Sequence, residues 1–182
     1  MARRGMRLAR PDLVVLAGLP GVGKSAVANA TAGLLGCTLV SVDPLEAAMW
    51  RAGISHDAPT GLAAYVVAEA VAEGQLRLGA PVVVDAVNDH PAARQQWQDL
   101  ATRTGAMLTF VEVRLADRSE HRRRLEGRVR DLDGFPEPRW SEVESRRAAF
   151  ESWTEDRLRV DASEPVGRVA RRIIDALTPR QP

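Results

Sequence analysis

Eight consecutive residues, Gly18-Leu19-Pro20-Gly21-Val22-Gly23-Lys24-Ser25, carry the G-x-x-x-x-G-K-[ST] spacing of a phosphate loop. Glycines at these places let the backbone curl until successive N–H groups converge on phosphate oxygens. The helix that follows, entered through Ala26, adds its positive dipole end. The Lys24 ammonium reaches the β- and γ-phosphates, and the Ser25 hydroxyl is placed to ligate Mg2+. Lys24 is also the sole lysine, every other long cation being an arginine. An arginine fork suits planar ion pairs, whereas this loop needs a compact, rotatable ammonium. The expected ligand is a nucleoside triphosphate with Mg2+, touched by residues 18–26.

Two aspartates and two arginines extend that chemistry. Asp43 follows a predicted strand, where a carboxylate faces the γ-phosphate and takes the proton of an acceptor hydroxyl as general base. The alternative is that Asp43 caps a helix beginning at Pro44. Asp85 ends an all-valine strand, in place to act on Mg2+ directly or through water, or else to cap a loop. Arg124 and Arg128 lie four apart on a predicted helix, sharing one face from which two cations would clamp a transferring phosphoryl group. The alternative there is a solvated helix with Glu120/Arg124 and Glu126/Arg130 pairs. The Gly- and Pro-containing stretch 131–140 would serve as a hinged lid that excludes water. Absences sort the functions further. No second lysine exists to build the Asn-Lys-x-Asp element of a guanine-reading GTPase. Asp85 precedes Ala86 rather than a glutamate, so nothing prepares water as nucleophile in the manner of a switching ATPase.

These residues need a scaffold that brings them to one edge. Residues 12–17 read as a buried strand, 26–35 as a helix, 37–42 as a second strand and 45–51 as a short helix. A loop at 52–59 leads to Thr60, a predicted cap for a helix running to about residue 78. Residues 81–85 form a third strand, 91–104 a helix with Pro91 in its first turn, and 107–115 a fourth strand. Asp117 caps the arginine-rich helix, 141–153 is helical, 158–160 is a fifth strand, and a last helix aligns Val166, Val169, Ile173 and Leu177 on one face. Strands alternating with helices demand a mostly parallel sheet covered on both faces, an α/β three-layer fold. Ligands in such sheets bind beyond the carboxyl ends of the strands. The chain is expected to be a single domain over 1–182, with a flexible leader at 1–11, a lid region at about 117–140 and a frayed tail at 178–182.

Charge and composition narrow the partners. The chain has 25 Lys+Arg against 24 Asp+Glu, a formal charge of +1, which excludes a global basic field for duplex DNA or an anionic membrane. No apolar run approaches the roughly 20 residues of a membrane span, and the basic N-terminus lacks a signal-peptide core, so a cytoplasmic location is expected. Cys37 is alone and is read as a small buried residue entering a strand. His90 and His121 have no partner at metal-ligand spacing, so no zinc site is expected.

Residues 18–25, Val42-Asp43, the run Val84-Asp85-Ala86-Val87-Asn88 with Arg94 and Trp97 downstream, and Arg124/Arg128 before a lid together make the chain resemble a P-loop kinase family. That family includes polynucleotide 5′-kinases, gluconate-kinase-like sugar kinases, chloramphenicol phosphotransferases and zeta-toxin kinases. The resemblance covers residues 13–160 and is closest in layout to the kinase half of phage-type polynucleotide kinase. It implies a P-loop NTPase fold with five parallel strands in the order 2-3-1-4-5 and a helical lid. It also implies ATP and Mg2+ as cofactors, Asp43 as general base, Arg124 or Arg128 on the ATP phosphates, and Asp85 and Arg94 near the substrate. One position departs: where the polynucleotide kinase pattern has an arginine three residues after the base, this chain has Glu46, which repels a polyanion. Arg51 is the candidate replacement. The expected acceptor is a small hydroxylated metabolite or antibiotic, held between residues 45–65 and the lid, with Met49, Trp50, Arg51, His56 and Asp57 as candidate wall residues. A polynucleotide 5′-hydroxyl acceptor is the alternative, and a nucleotide-dependent regulatory ATPase without a transfer substrate is the alternative of another class.

Overall fold

Apolar runs with no alternation build the centre of the molecule. In the computed structural model, which describes residues 10–128, 135 and 137–177, β1 (Asp12–Ala17) has Leu13 to Ala17 at 0% exposure. A strand apolar on both sides must be covered on both sides, as parallel sheets are. Val82, Val83 and Val84 of β3 (Val82–Asp85) are likewise fully buried. With β2 (Thr38–Ser41), β4 (Met107–Arg114) and β5 (Leu158–Asp161) they form one five-stranded parallel sheet in the order β2-β3-β1-β4-β5, as the resemblance implied. Helix α1 (Lys24–Leu35) packs against α7 (Val166–Leu177), while α3 (Thr60–Arg77) packs against α2 (Val42–Arg51) and α4 (Pro91–Thr104). Right-handed crossovers put these two sets on opposite faces of the sheet. The chain leaves β1 towards β2 and leaves β3 towards β4, so the switch point lies between β1 and β3. Their carboxyl ends are in register, Leu16 beside Asp85 and Asp85 beside Ser41. This is where an open α/β sheet binds its ligand.

Several boundaries differ from expectation for identifiable reasons. The second strand stops at Ser41, and α2 begins at Val42, so Asp43 lies inside the first helical turn and Ser41 is the N-cap. Pro44, which needs no N–H partner there and has a helical φ, permits the early start. Asp43 is therefore neither a strand end nor a cap. Thr60 is the first helical residue of α3, with Pro59 in the cap position, and its hydroxyl is used elsewhere. Asp117 does cap α5 (Arg118–Gly127), accepting the N–H of Ser119 at 2.9 Å and of Glu120 at 3.1 Å. That helix ends at Gly127 and Arg128 is extended, so the expected shared helical face of Arg124 and Arg128 does not exist. On α7, Val169 and Ile173 are buried but Val166 is exposed. Cys37 is only half-buried just before β2, and burial pushes its thiol pKa up. Helix α6 (Trp140–Glu151) returns the chain to the body, where Trp153 packs edge-on to Phe110 at 5.4 Å. Residues 1–9 of the expected 1–11 leader, the tail at 178–182, and residues 129–134 and 136 of the expected lid region, Arg130 among them, lie outside the described residues. Among the described residues no helix is long and apolar enough to cross a membrane.

Candidate active site at the phosphate loop

The loop between β1 and α1 takes its shape from glycines in the left-handed region, Gly21 at φ 87° and Gly23 at φ 100°. Space forbids a side chain at Gly21 as well, since a Cβ there would stand 2.9 Å from Cβ of Leu125 on α5. Helix α5 thus lies directly on the phosphate loop. Its His121, fully buried, has Nε2 2.8 Å from the Pro20 carbonyl, so the ring donates to the loop and Nδ1 carries no proton. Lys24 opens α1, and its ammonium pairs with Asp85 at the end of β3, both side chains being nearly buried.

Around that pair a buried network joins the β3 loop to β1. Asn88, at φ 55° and 0% exposure, donates from Nδ2 to the Leu16 carbonyl at 2.8 Å. Its Oδ1 accepts the Trp97 indole N–H at 2.9 Å, and its own N–H donates to the Tyr65 hydroxyl at 3.1 Å. Gly18 N–H donates to the Val87 carbonyl at 3.2 Å, tying the first phosphate-loop residue to the same loop. Arg94, 3% exposed, closes the network by donating to the Asp89 carbonyl at 2.8 Å while its guanidinium stacks 4.6 Å above Trp153. A left-handed asparagine costs about 1–3 kcal/mol and persists only when its surroundings over-determine it. Here three side chains and two carbonyls do so.

On the nucleotide side, Arg124 donates to Glu120 at 2.7 Å and to the Ala162 carbonyl at 3.0 Å. Its NH1 lies 3.7 Å from where a Cβ would stand on Gly23, so the guanidinium overhangs the loop. Arg123 and Arg124 hold the Glu120 carboxyl down to about 2. On the other side opens a cavity of about 600 Å3, lined by Pro20 of the phosphate loop, Asp43 and Glu46 of α2, Tyr65 of α3, Asp89, and lid-side residues from Phe135 to Arg146. Such a volume suits a metabolite-sized ligand.

A model of the AAA domain family matches residues 13–152. The chain belongs to that family. No curated protein matches this AAA domain in sequence. Solved structures share its fold: a protein from Chloroflexus aurantiacus, 17% identical with a TM-score of 0.76, covers 93% of this chain and 100% of its own. A gluconokinase from Sinorhizobium meliloti is 21% identical with a TM-score of 0.61, covering 92% of each chain. APS kinase from Mycobacterium tuberculosis, in complex with AMPPNP and APS, is 20% identical with a TM-score of 0.64 over 92% of this chain and 98% of its own. The fold is that of a P-loop NTPase.

Within this AAA domain the expected site residues fall into two groups. Gly18 to Ser25, Asp85, Arg124 and Asp43 gather at the carboxyl edge of the sheet, and Arg128 reaches the cavity wall by donating to Glu137 at 2.6 Å. Arg51 is exposed at the end of α2, and Arg94 points under the β3 loop, so neither joins the cavity lining. His56 and Asp57 are also exposed outside it, while Trp50 stacks on His56 at 4.2 Å. Asp89, Glu142 and Arg146 escaped the sequence reading. No spacing marks them, because the fold, not the local sequence, brings α6 and the β3 loop to the cavity that α2 also lines.

His121 gives this AAA domain a pH signature. Burial pushes its pKa down, with Arg147 and Arg124 reinforcing the shift and the Pro20 carbonyl and Glu144 opposing it. Below the unfolded histidine value of about 6.5 the unfolded chain takes up a proton that the folded chain refuses, so stability falls. The loss levels off once pH has passed through the lower folded value. Melting temperature is expected to drop between pH 6.5 and 5.5 and to drop less in His121→Gln; equal slopes would remove His121 as the cause.

Proposed function

We propose that this AAA domain is an ATP-dependent phosphotransferase that moves the γ-phosphoryl group to a hydroxyl of a small molecule. The observation that carries the reading is the cavity with the Asp43 carboxylate in its wall and the phosphate loop at its margin. The acceptor oxygen forms a bond to the γ-phosphorus as its proton passes to Asp43, and the bond from that phosphorus to the bridging oxygen breaks, leaving ADP. Lys24 and Arg124 neutralise charge on the phosphates, with Arg128 joining from the lid side. Backbone N–H groups of residues 18–25 hold the triphosphate.

Oxygen donors suited to Mg2+ stand in the loop, the Ser25 hydroxyl at the start of α1 and the Asp85 carboxylate nearby. One carboxylate and a hydroxyl, completed by phosphate oxygens and water, match the preference of this hard cation. Bound between Ser25 and Asp85, Mg2+ would screen the phosphate charge. The named neighbours, a gluconokinase and an APS kinase with AMPPNP, support the kinase reading. Glu46 in the cavity wall disfavours a polynucleotide acceptor.

Initial rates with γ-labelled ATP against a panel of hydroxylated metabolites test the proposal, with hydrolysis measured alongside. Label appearing on an alcohol at rates above hydrolysis is the expected result. Hydrolysis alone, with a partner protein retained only in ATP, would replace this reading by that of a regulatory ATPase.

A further inference from the structure

The cavity wall is unevenly charged. Five carboxylates, Asp43, Glu46, Asp89, Glu137 and Glu142, face two guanidiniums, Arg139 and Arg146. Part of the negative charge is engaged within the protein. Glu137 accepts from Arg128 at 2.6 Å, and Asp89 stands 3.9 Å from Arg146. Glu142 accepts a neutral backbone N–H, that of Arg139, at 2.8 Å. Glu46 likewise meets no cation. Its Oε1 accepts from the Thr60 hydroxyl at 2.8 Å, and that hydroxyl accepts from the Trp50 indole N–H at 3.0 Å. This neutral relay fixes the direction of the carboxylate without cancelling its charge. Among the described residues Glu46 has no cationic partner.

The surroundings of Glu46 leave room for a ligand. Its two oxygens are 3.5 and 3.8 Å from where a Cβ would stand on Gly61, a glycine that itself lines the cavity. Phe135 also faces the cavity, and Trp50 packs against it with ring centroids 5.2 Å apart. An aromatic ring sharing a cavity wall with a carboxylate suits an organic cation. A metal ion fits less well, because among the described residues no three His, Cys, Asp or Glu side chains converge as ligands.

We infer that the acceptor carries a protonated amine beside its hydroxyl groups, as an amino sugar, aminocyclitol or amino alcohol does, and that Glu46 binds that amine. The inference rests on the phosphotransferase reading above and names its substrate class. An ammonium offers Glu46 the charge partner that the protein withholds. An anionic acceptor meets like charge at Glu46, a repulsive element that sets specificity. A neutral polyol meets no repulsion but leaves Glu46 unpaired.

Matched acceptors on one carbon skeleton, glucosamine, glucose and gluconate, separate charge from shape. They would be assayed with γ-labelled ATP beside wider sets of amino alcohols and aminocyclitols, neutral polyols, and sugar acids. The expected result is transfer concentrated in the amine class, with kcat/KM about tenfold or more above the neutral analogue, the scale of one charged hydrogen bond. Glu46→Gln keeps an oxygen for Thr60; it should raise KM for the amine acceptor about tenfold and leave KM for ATP in place. Asp89→Asn should weaken the same preference while leaving the Thr60 relay intact. Best acceptors that are neutral or anionic, or an amine preference untouched by Glu46→Gln, overturn the inference and leave the phosphotransferase reading standing. No transfer to any class removes both.

Discussion

Asp43→Asn is expected to lower phosphoryl transfer by about a hundred- to ten-thousandfold, the range of a positioned general base, while ATP affinity stays nearly unchanged. Asparagine has the shape of aspartate and one of its two acceptor oxygens, but it cannot take the proton. The substitution also removes a negative charge from the first turn of α2, where it interacts favourably with the helix dipole. That effect amounts to about 0.3–1 kcal/mol, too little to unfold the chain, so a rate loss of the expected size reports chemistry. Initial rates with γ-labelled ATP, paired with calorimetric ATP binding, separate the two. Full activity in the variant removes Asp43 as base.

Lys24→Ala should slow transfer about a hundredfold or more, as loss of a preorganised charge donor does. The same change has a second effect that must be separated from the first. Asp85 is 6% exposed and pairs with Lys24, so the variant leaves a buried carboxylate without its cation. Breaking such a pair from one side costs about 3–5 kcal/mol. The double variant Lys24→Ala/Asp85→Asn removes the stranded charge and should recover much of the melting temperature without recovering the rate. Turnover at the parent level in Lys24→Ala would sink the phosphate-loop assignment.

Each structural signal is legible in the sequence only as far as local residue order encodes it. The strands and the phosphate loop are legible because a buried parallel strand is written as an unbroken apolar run and the loop as glycines at set spacing, whereas the strand order came from the family resemblance. Asp43 was found for the right neighbourhood with the wrong local structure, since Pro44 permits a helix to start earlier than its position suggests. Arg94 and Asn88 stand out in the sequence, yet the structure has Asn88 buried within the β3 loop and Arg94 beneath it, both bonding to backbone carbonyls. A residue that shapes a site and one that touches its ligand look alike in sequence. Asp89, Glu142 and Arg146 were invisible because they meet only through tertiary packing.

Pro20 belongs to two neighbourhoods. It is the phosphate-loop residue in the cavity wall, and its carbonyl is the one His121 holds. The remaining wall comes from α2, α3, the β3 loop and residues between 135 and 146, and the β3 loop is itself tied to the phosphate loop through Val87. Wall positions on α6, such as Glu142 and Arg146, can accumulate substitutions, and new acceptors, while the phosphate-handling machinery stays as it is. A change at Pro20 has no such freedom, because it would alter recognition and chemistry in a single step.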